Sequence, residues 1–202
     1  WKRTEKGFSL LKDGGIEVVE KELLSSKICQ CFDVKQVIYN RSVFAEEPVT
    51  ISENITSKDF SIVSMEAFEV YSQNHDRNIR KYILALDKHD YYMMNIIDYL
   101  VGNTDRHWGN WGVLVNNVNN KPVSLHPLMD FNKTFNSYET IEGSNCQTCF
   151  GKRINQKDAA LEAVRKIGLN QIKEVNYDWF EYFPEYVGMF KKRYGILKRI
   201  ND

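Results

Sequence analysis

The residue types best suited to chemistry stand together in the segment 103–110, whose sequence is NTDRHWGN. Phosphoryl transfer needs a carboxylate that orients an attacking hydroxyl and accepts its proton, and oxygen ligands that hold Mg²⁺ against a triphosphate. Asp105 suits the first role and Asn110 the second, five positions further along the chain. The segment therefore predicts a loop for phosphoryl transfer, with Asp105 and Asn110 as catalytic residues.

A second carboxylate follows this segment by way of a predicted hairpin. Two β-type runs, Trp111–Val115 and Pro122–Met129, are separated by the Asn-rich stretch 116–121, and Asn suits the left-handed positions of a turn. Asp130 follows on the return strand, and we expect it to be a third catalytic residue. Because a hairpin returns the chain to its starting place, we expect Asp130 beside Asn110, the two of them holding Mg²⁺.

The first quarter of the chain predicts a strand, a helix and further strands. Gly7–Lys12 alternates as a strand and ends in a Lys-Asp-Gly-Gly turn, and Ile16–Phe32 has apolar residues at helical spacing. Val34–Ile51 is rich in Val, Ile, Tyr and Phe, which predicts two or three strands, with interruptions at 40–41 and at Pro48.

The rest of the chain is predominantly helical in pattern. Thr56–Glu69 predicts mixed loop and helix, Asn78–Leu100 predicts helices that face the core, and everything from Lys157 onward predicts helix. The predicted hairpin interrupts this helical part.

The Asp-Arg-His-x-x-Asn pattern of residues 105–110 is similar to the catalytic loop of HipA-like kinases and of phosphatidylinositol kinases, which share a protein-kinase-like fold. The preceding Asn-Thr, the aromatic-rich run 108–112 and the Pro-Leu-Met before Asp130 resemble the HipA-like branch. Lipid kinases typically have Asp-Phe-Gly where this chain has Asp-Phe-Asn at 130–132. We therefore favour the HipA-like kinases, with the lipid kinases as the alternative.

The resemblance implies an α+β, protein-kinase-like two-lobed fold. A small β-rich N-terminal lobe would comprise residues 1–51, and a mainly helical catalytic lobe residues 52–202. ATP would bind between the lobes, with adenine against the backbone of a hinge at Pro48–Glu53. Only one Gly stands among the eleven residues before Lys12, so we expect a glycine-rich loop to lie upstream of Trp1; the alternative is that the grip on the phosphates is incomplete.

The resemblance also assigns cofactor-binding residues. Lys12 would hold the α and β phosphates of ATP, and Glu22 would orient that lysine, with Glu20 as the alternative. His107 is placed with the cofactor-binding residues as a support of the loop, and a general-base role is its alternative. His126 is expected to pair within its strand, the alternative being that it points into the site.

The implied function is Mg²⁺/ATP-dependent transfer of the γ-phosphate to a Ser or Thr hydroxyl of a protein substrate, with autophosphorylation included. A phosphatidylinositol-type lipid kinase and an ATP-binding pseudokinase or interaction module are the alternatives. HipA-like kinases often pair with a DNA-binding antitoxin, so the resemblance also implies such a partner in a toxin–antitoxin pair.

Composition argues against other classes of function. Lys plus Arg and Asp plus Glu both number 27 in 202 residues, which gives no bulk charge for binding nucleic acid or an anionic membrane. No apolar run approaches the roughly 20 residues that span a bilayer, and no signal peptide is evident. We expect a cytoplasmic protein, with a secreted effector as the alternative. Packing around the loop is the expected role of Trp108 and Trp111, rather than stacking on bases.

The four cysteines occur as two close pairs, at positions 29 and 31 and at positions 146 and 149. Two short pairs can form a tetrahedral zinc site. The first pair lies in an apolar helical pattern, and neither pair has neighbouring Gly or His residues typical of a zinc knuckle. We expect reduced thiols, with zinc as the alternative.

Overall fold

Two antiparallel sheets and five α-helices form the part of the chain that the computed structural model describes, which is residues 1–4, 7–75, 78–136 and 138–201. The strands are β1 (Lys2–Thr4), β2 (Gly7–Lys12), β3 (Asn40–Phe44), β4 (Glu47–Glu53), β5 (Phe60–Ser64), β6 (Gly112–Asn116) and β7 (Lys121–Leu125). The helices are α1 (Gly15–Cys29), α2 (Met65–Gln73), α3 (Ile79–Val101), α4 (Gln156–Ile167) and α5 (Val187–Asn201). Short 3₁₀ helices at Tyr177–Phe180 and Pro184–Tyr186 precede α5.

The N-terminal sheet has the strand order β1-β2-β4-β3, and α1 packs against β4. In this sheet Lys12, the last residue of β2, lies opposite Thr50 of β4. The helix side that faces the sheet includes buried polar residues as well as apolar ones. The predicted strand and helix of the first quarter are thus confirmed, and they place a lysine at the end of a strand beneath a helix.

The interruption of the strands predicted at residues 40–41 is wrong. Both residues belong to β3, where Asn40 pairs with Ile51 and Arg41 with Thr50. The reversal falls instead at Ala45 and Glu46, which have positive φ angles of 51° and 67°. Two-residue hairpin turns of this kind usually carry Asn or Gly, so an Ala-Glu turn gives no sequence signal.

The hinge predicted at Pro48–Glu53 is also wrong in position, because these residues belong to β4. Pro48 is tolerated there since the pairing of β4 with β2 begins only at Thr50. The irregular link between the two sheets runs through residues 54–59. The predicted boundary at residue 51 falls within β4, and the division into residues 1–51 and 52–202 stays a prediction.

The second sheet has the order β5-β6-β7, and its β6–β7 hairpin is the one predicted from the sequence. Asn120 in the turn has φ 54°, as expected of Asn at a left-handed position. The sequence did not predict β5, which lies within the stretch 56–69 assigned to loop and helix. All five residues of β5 are half-buried, so it lacks the alternation that identifies a strand.

Helix α3 runs through the core and is interrupted at Asp87, whose φ and ψ of −154° and 72° are not helical. Its side chain accepts a hydrogen bond from the N–H of Asp90 at 3.2 Å, which restarts the helix, and one from the N–H of Leu125 at 3.1 Å. The segment after the break, residues 90–101, is buried throughout. The loop at 103–110 begins directly after this buried segment and Gly102.

The end of α3 is fixed by a close approach of side chains. Gly102 has φ 59°, and a Cβ at this position would lie 2.5 Å from the ring of Tyr138. The fully buried Arg193 of α5 donates hydrogen bonds to the carbonyls of Tyr99 and Thr140, both at 2.7 Å. Helix α5 thus holds the end of α3 in place.

The expectation of continuous helix from Lys157 holds only in part, since residues 168–176 are irregular.

No helix in these described ranges combines the length and the apolar character needed to cross a membrane.

Candidate active site

Lys12 and Glu22 form an ion pair between β2 and α1. Their Nζ and Oε1 atoms are 3.0 Å apart, and the side chain of Glu22 is only 1% exposed. Thr50, opposite Lys12 in the sheet, donates a hydrogen bond to Oε2 of Glu22 at 2.6 Å. Glu20, the alternative partner, pairs with Arg41 instead. The lysine–glutamate pair expected from the resemblance is therefore present as a contact between Lys12 and Glu22.

The Lys12 ammonium also contacts a second carboxylate, that of Asp130. Burial by itself works against the ammonium charge, but the charges and hydrogen bonds of Glu22 and Asp130 outweigh it, so the pKa of Lys12 lies above its ordinary value. Lys12 thus stays charged at neutral pH and joins the N-terminal sheet to Asp130.

The loop that carries Asp105 and Asn110 is closed by hydrogen bonds between its own ends. Asn110 donates from Nδ2 to the backbone carbonyl of Asp105 at 2.8 Å. Asp105 donates its N–H to Oδ1 of Asn103 at 3.1 Å. Two of the three side chains predicted to be catalytic therefore lie at the ends of one tight loop, where the Asn110 Oδ1 and the Asp105 carboxylate are the atoms available for chemistry.

Arg106 connects this loop to the segment that carries Asp130. Its Nη1 donates to the carbonyl of Asn110 at 3.1 Å and to that of Met129 at 2.6 Å. Its Nε and Nη2 bind the carboxylate of Asp98 at 3.0 to 3.3 Å. Burial disfavours the guanidinium charge, but Asp98 more than offsets that cost and raises the pKa of Arg106. One buried cation thus brings Asn110 beside the residue that precedes Asp130.

Asp130 lies five residues beyond the end of β7, so it is not on the return strand as the sequence suggested. It has a left-handed backbone with φ 60°, which Asp tolerates better than most residues. Its N–H donates to the hydroxyl of Tyr39 at 3.0 Å. A parallel bridge between Gln36 and Leu128 ties the same segment to the N-terminal part of the chain. These contacts fix the conformation that turns the Asp130 carboxylate toward Lys12.

The two histidines considered from the sequence lie in different surroundings. His107 is exposed, and its Nδ1 accepts a hydrogen bond from the N–H of Gly109 at 3.0 Å, a contact within the loop. Its place among the cofactor-binding residues stays a prediction. His126 is buried, shares a 2.8 Å hydrogen bond with the carbonyl of Pro127, and has its pKa lowered by burial. No described residue bonds its Nε2.

Three contributors to the site were missed by sequence reasoning. Tyr39 holds the backbone of Asp130, and Thr50 holds Glu22. Lys133 places its Nζ 3.6 Å from Oδ2 of Asp105, and its carbonyl accepts a hydrogen bond from the N–H of Thr104 at 3.2 Å. Lys133 could have been noticed as a cation three residues after Asp130. Nothing in the sequence marks Tyr39 or Thr50, because their partners are remote along the chain.

A cavity of about 260 Å³ lies between the two sheets. Its apolar walls come from Leu10, Val37, Ile62 and Met129, and residues 52–56 form one edge. Met129 directly precedes Asp130, so the cavity adjoins the charged cluster. An apolar slot bordered by an irregular stretch of backbone suits a flat heterocycle that needs a few hydrogen bonds at its edge.

The two cysteine pairs do not combine into a metal site. Within the described ranges, no group of three or more His, Cys, Asp or Glu side chains is arranged to hold a metal ion. All four cysteines are free thiols, and the first pair is completely buried. Asn110 and Asp130 are two side chains, one of them an amide, so they are not a group of this kind.

Comparison with known proteins finds a likeness in structure alone. No protein-family model matches the chain, and no curated protein has a similar sequence. The crystal structure of a Helicobacter pylori proinflammatory kinase, CtkA, superposes with a TM-score of 0.68 at 14% identity, covering 96% of this chain and 85% of that chain. The chain has a kinase-like, two-lobed α+β fold. This confirms the predicted fold class.

Proposed function

We propose that this protein is an ATP-dependent phosphotransferase of the HipA-like type, which transfers the γ-phosphate of ATP to a Ser or Thr hydroxyl of a protein. The observation that carries the proposal is the shared binding of the Asn110 and Met129 carbonyls by one nitrogen of Arg106. This contact joins the Asp105–Asn110 loop to Asp130, and Lys12 reaches the same carboxylate from the other sheet. This set of side chains supports the proposal, because a kinase centre uses a lysine–glutamate pair, a basic aspartate and an asparagine–aspartate pair for the metal ion.

ATP is assigned to the cleft between the sheets. The apolar cavity beside Met129 would take adenine, against the backbone of residues 52–56. Lys12 would bind the α and β phosphates, and Glu22 keeps its ammonium directed toward the cleft. The raised pKa of Lys12 supports this role, because the lysine is already charged before phosphates bind to it.

The donor atoms of Asn110 and Asp130 fit Mg²⁺, which prefers carboxylate and amide oxygens and retains several waters. The contact of Asp130 with the Lys12 ammonium supports this fit, since the carboxylate already accepts a cation. Bound Mg²⁺ would neutralise charge on the phosphates. Asn110 keeps its Oδ1 for the ion while its Nδ2 remains on the Asp105 carbonyl.

Asp105 is the proposed base. Its carboxylate would orient the acceptor hydroxyl and take its proton as the hydroxyl oxygen bonds to the γ-phosphorus and ADP leaves. Lys133, 3.6 Å from Asp105, is an exposed cation beside the place where an acceptor would bind. Its charge would attract the transferring phosphoryl group.

The test is single-turnover transfer of label from γ-labelled ATP with Mg²⁺, to the protein itself and to added dephosphorylated casein. Asp105→Asn keeps the size of the side chain but removes the base, so transfer should fall by roughly 10²- to 10⁴-fold. Asp178→Asn changes an exposed aspartate on the 3₁₀ helix Tyr177–Phe180 and should leave the rate unchanged.

Equal rates for Asp105→Asn and the unchanged protein would contradict the assignment of the base. Binding of ATP with no transfer to any acceptor would favour the interaction-module alternative. Transfer to phosphatidylinositol vesicles but not to protein would favour the lipid kinase. A DNA-binding antitoxin as partner belongs to the same proposal, and co-purification with such a protein tests it separately.

A further inference from the structure

A second chemically active group stands beside the catalytic loop, in the turn formed by residues 146–149, whose sequence is CQTC. The sulfur atoms of Cys146 and Cys149 are 2.7 Å apart, although both are free thiols. A disulfide bond needs a separation of about 2.0 Å, so only a small movement separates this pair from a covalent bond. Cysteines spaced in this way are typical of dithiols that cycle between thiol and disulfide.

The two thiols differ in exposure and acidity. Cys146 is half-buried, whereas Cys149 is buried. The hydrogen bond from Cys149 lowers the pKa of Cys146, helped by the N–H of Thr148, and the same bond together with burial raises the pKa of Cys149. Because the thiolate is the nucleophile in thiol–disulfide exchange, Cys146 is the thiol suited to attack an external disulfide. Cys149 is then the thiol that would displace the reagent from the resulting mixed disulfide.

One of the two residues between these cysteines binds the catalytic loop directly. Gln147 donates from Nε2 to the carbonyl of Thr104, the residue before Asp105, at 2.7 Å. Its own carbonyl accepts a hydrogen bond from Nε1 of Trp108 at 3.0 Å. The turn therefore holds the loop at two points, one on each side of His107.

The other side of the turn is anchored to helix α3. The hydroxyl of Thr148 donates to Oδ1 of Asn95, and the carbonyl of Thr148 accepts from the hydroxyl of Tyr91 at 3.1 Å. The thiol of Cys146 lies 3.5 Å from the same Asn95 oxygen. A change in the bonding of Cys146 would therefore act on the buried helix α3 and, through the neighbouring Gln147, on the loop.

We propose that Cys146 and Cys149 form a redox site that low-molecular-weight disulfides oxidise, and that its oxidation state controls the order of the catalytic loop through Gln147. Cys146 thiolate attacks one sulfur of the reagent, forming a mixed disulfide and releasing one thiolate. Cys149 then attacks the Cys146 sulfur, loses its proton to solvent or to the departing thiolate, and releases the second reagent thiol. The protein loses two electrons and the reagent disulfide gains them.

The other cysteine pair provides an internal comparison. Cys29 and Cys31 are fully buried, and burial raises the pKa of both thiols. The thiol of Cys31 is directed to the carbonyls of Lys27 and Glu174, at 3.5 and 3.6 Å, rather than to Cys29. These thiols should resist the reagent under conditions that oxidise the 146–149 pair.

The experiment equilibrates the whole protein with mixtures of oxidised and reduced glutathione, blocks free thiols with a maleimide and locates the remaining disulfide by peptide mass spectrometry. We expect one intramolecular bond, between Cys146 and Cys149, that dithiothreitol reverses. Cys149→Ser should instead accumulate glutathione on Cys146, because the resolving thiol is gone. Oxidation should slow amide hydrogen exchange in residues 104–110 by a factor of roughly two or more, since the turn loses conformational freedom.

Gln147→Ala provides the matched test of coupling, because it keeps both thiols and removes the side-chain bond to Thr104. In this variant the disulfide should still form, while the effect of oxidation on exchange in residues 104–110 should shrink. Failure to form the bond at any glutathione ratio, or oxidation of Cys29 and Cys31 to the same extent, overturns the redox site. A disulfide that leaves exchange of the loop unchanged overturns the coupling. These readouts do not depend on phosphate transfer, so they stand or fall separately from the proposed function.

Discussion

Arg106 is the residue on which the assembly of the centre depends most. It is buried, it neutralises Asp98, and it supplies the donor shared by the Asn110 and Met129 carbonyls. Arg106→Met leaves the Asp98 carboxylate buried without its partner, which should lower the free energy of unfolding by about 3–5 kcal/mol. Denaturant unfolding measures the loss, and phosphate transfer should fall with it.

A double variant separates the two roles of Arg106. Combining Arg106→Met with Asp98→Leu removes both charges, and most of the lost stability should return. Transfer should stay low, because the two carbonyls still lack their common donor. A double variant that transfers at the original rate would show that Arg106 contributes only to folding.

At the level of single residues, the sequence predicted side chains whose chemistry is evident from their type and local spacing. Asp105 and Asn110 are five positions apart, and the loop that joins them is local. Tyr39 and Thr50 were missed because each acts on a residue 91 or 28 positions away along the chain. A hydroxyl that holds a remote backbone group or carboxylate has no pattern of its own in a sequence.

Helix α1 places Glu22 in contact with Lys12. Glu22→Gln removes the negative charge but preserves an oxygen for the Thr50 hydroxyl, so the fold should persist. The Lys12 ammonium would then be held by Asp130 alone, and Mg²⁺/ATP should bind roughly tenfold more weakly, equivalent to about 1.4 kcal/mol. Isothermal titration with a non-hydrolysable ATP analogue measures this change.

The matched control on the same helix is Glu20→Gln. Glu20 pairs with Arg41 and does not touch Lys12, so the variant should bind the analogue as the unchanged protein does. Equal weakening by the two substitutions would mean that α1 acts through its overall charge and not through the pair.

Elements with a clear periodicity were predicted, and those without one were not. The helical spacing before residue 32 and the Asn-rich hairpin turn gave α1 and the β6–β7 hairpin. Strand β5 has no alternation because both its faces are partly covered, and the Ala-Glu turn between β3 and β4 has no turn-forming residue. Neither periodicity nor turn-forming residues predicted the position of the link between the sheets, at 54–59, because that position depends on where strand pairing stops.

For the molecule as a whole, a nucleotide would connect the two sheets. A ligand at about 100 times its dissociation constant stabilises the native state by about 2.7 kcal/mol. In a chain of this length that corresponds to a rise in Tm of roughly 5–10 °C. Mg²⁺ with a non-hydrolysable ATP analogue should produce this rise in a thermal melt. The rise should be smaller when EDTA replaces Mg²⁺, and Asp130→Asn should abolish the difference. A metal-independent rise in both proteins would contradict the assignment of Asp130.

The contact between Lys12 and Asp130 makes the two halves of the proposed ligand cooperate. The Lys12 ammonium and the Asp130 carboxylate balance part of each other's charge. Phosphates that draw Lys12 away alone would leave the Asp130 carboxylate without its cation, and a metal ion that draws Asp130 away alone would leave the ammonium with one carboxylate, Glu22, instead of two. Each partial occupancy breaks an ion pair without replacing both of its ends. In the proposed reaction the metal and the nucleotide therefore raise each other's affinity, a positive heterotropic linkage that originates in a single exchange of ionic partners.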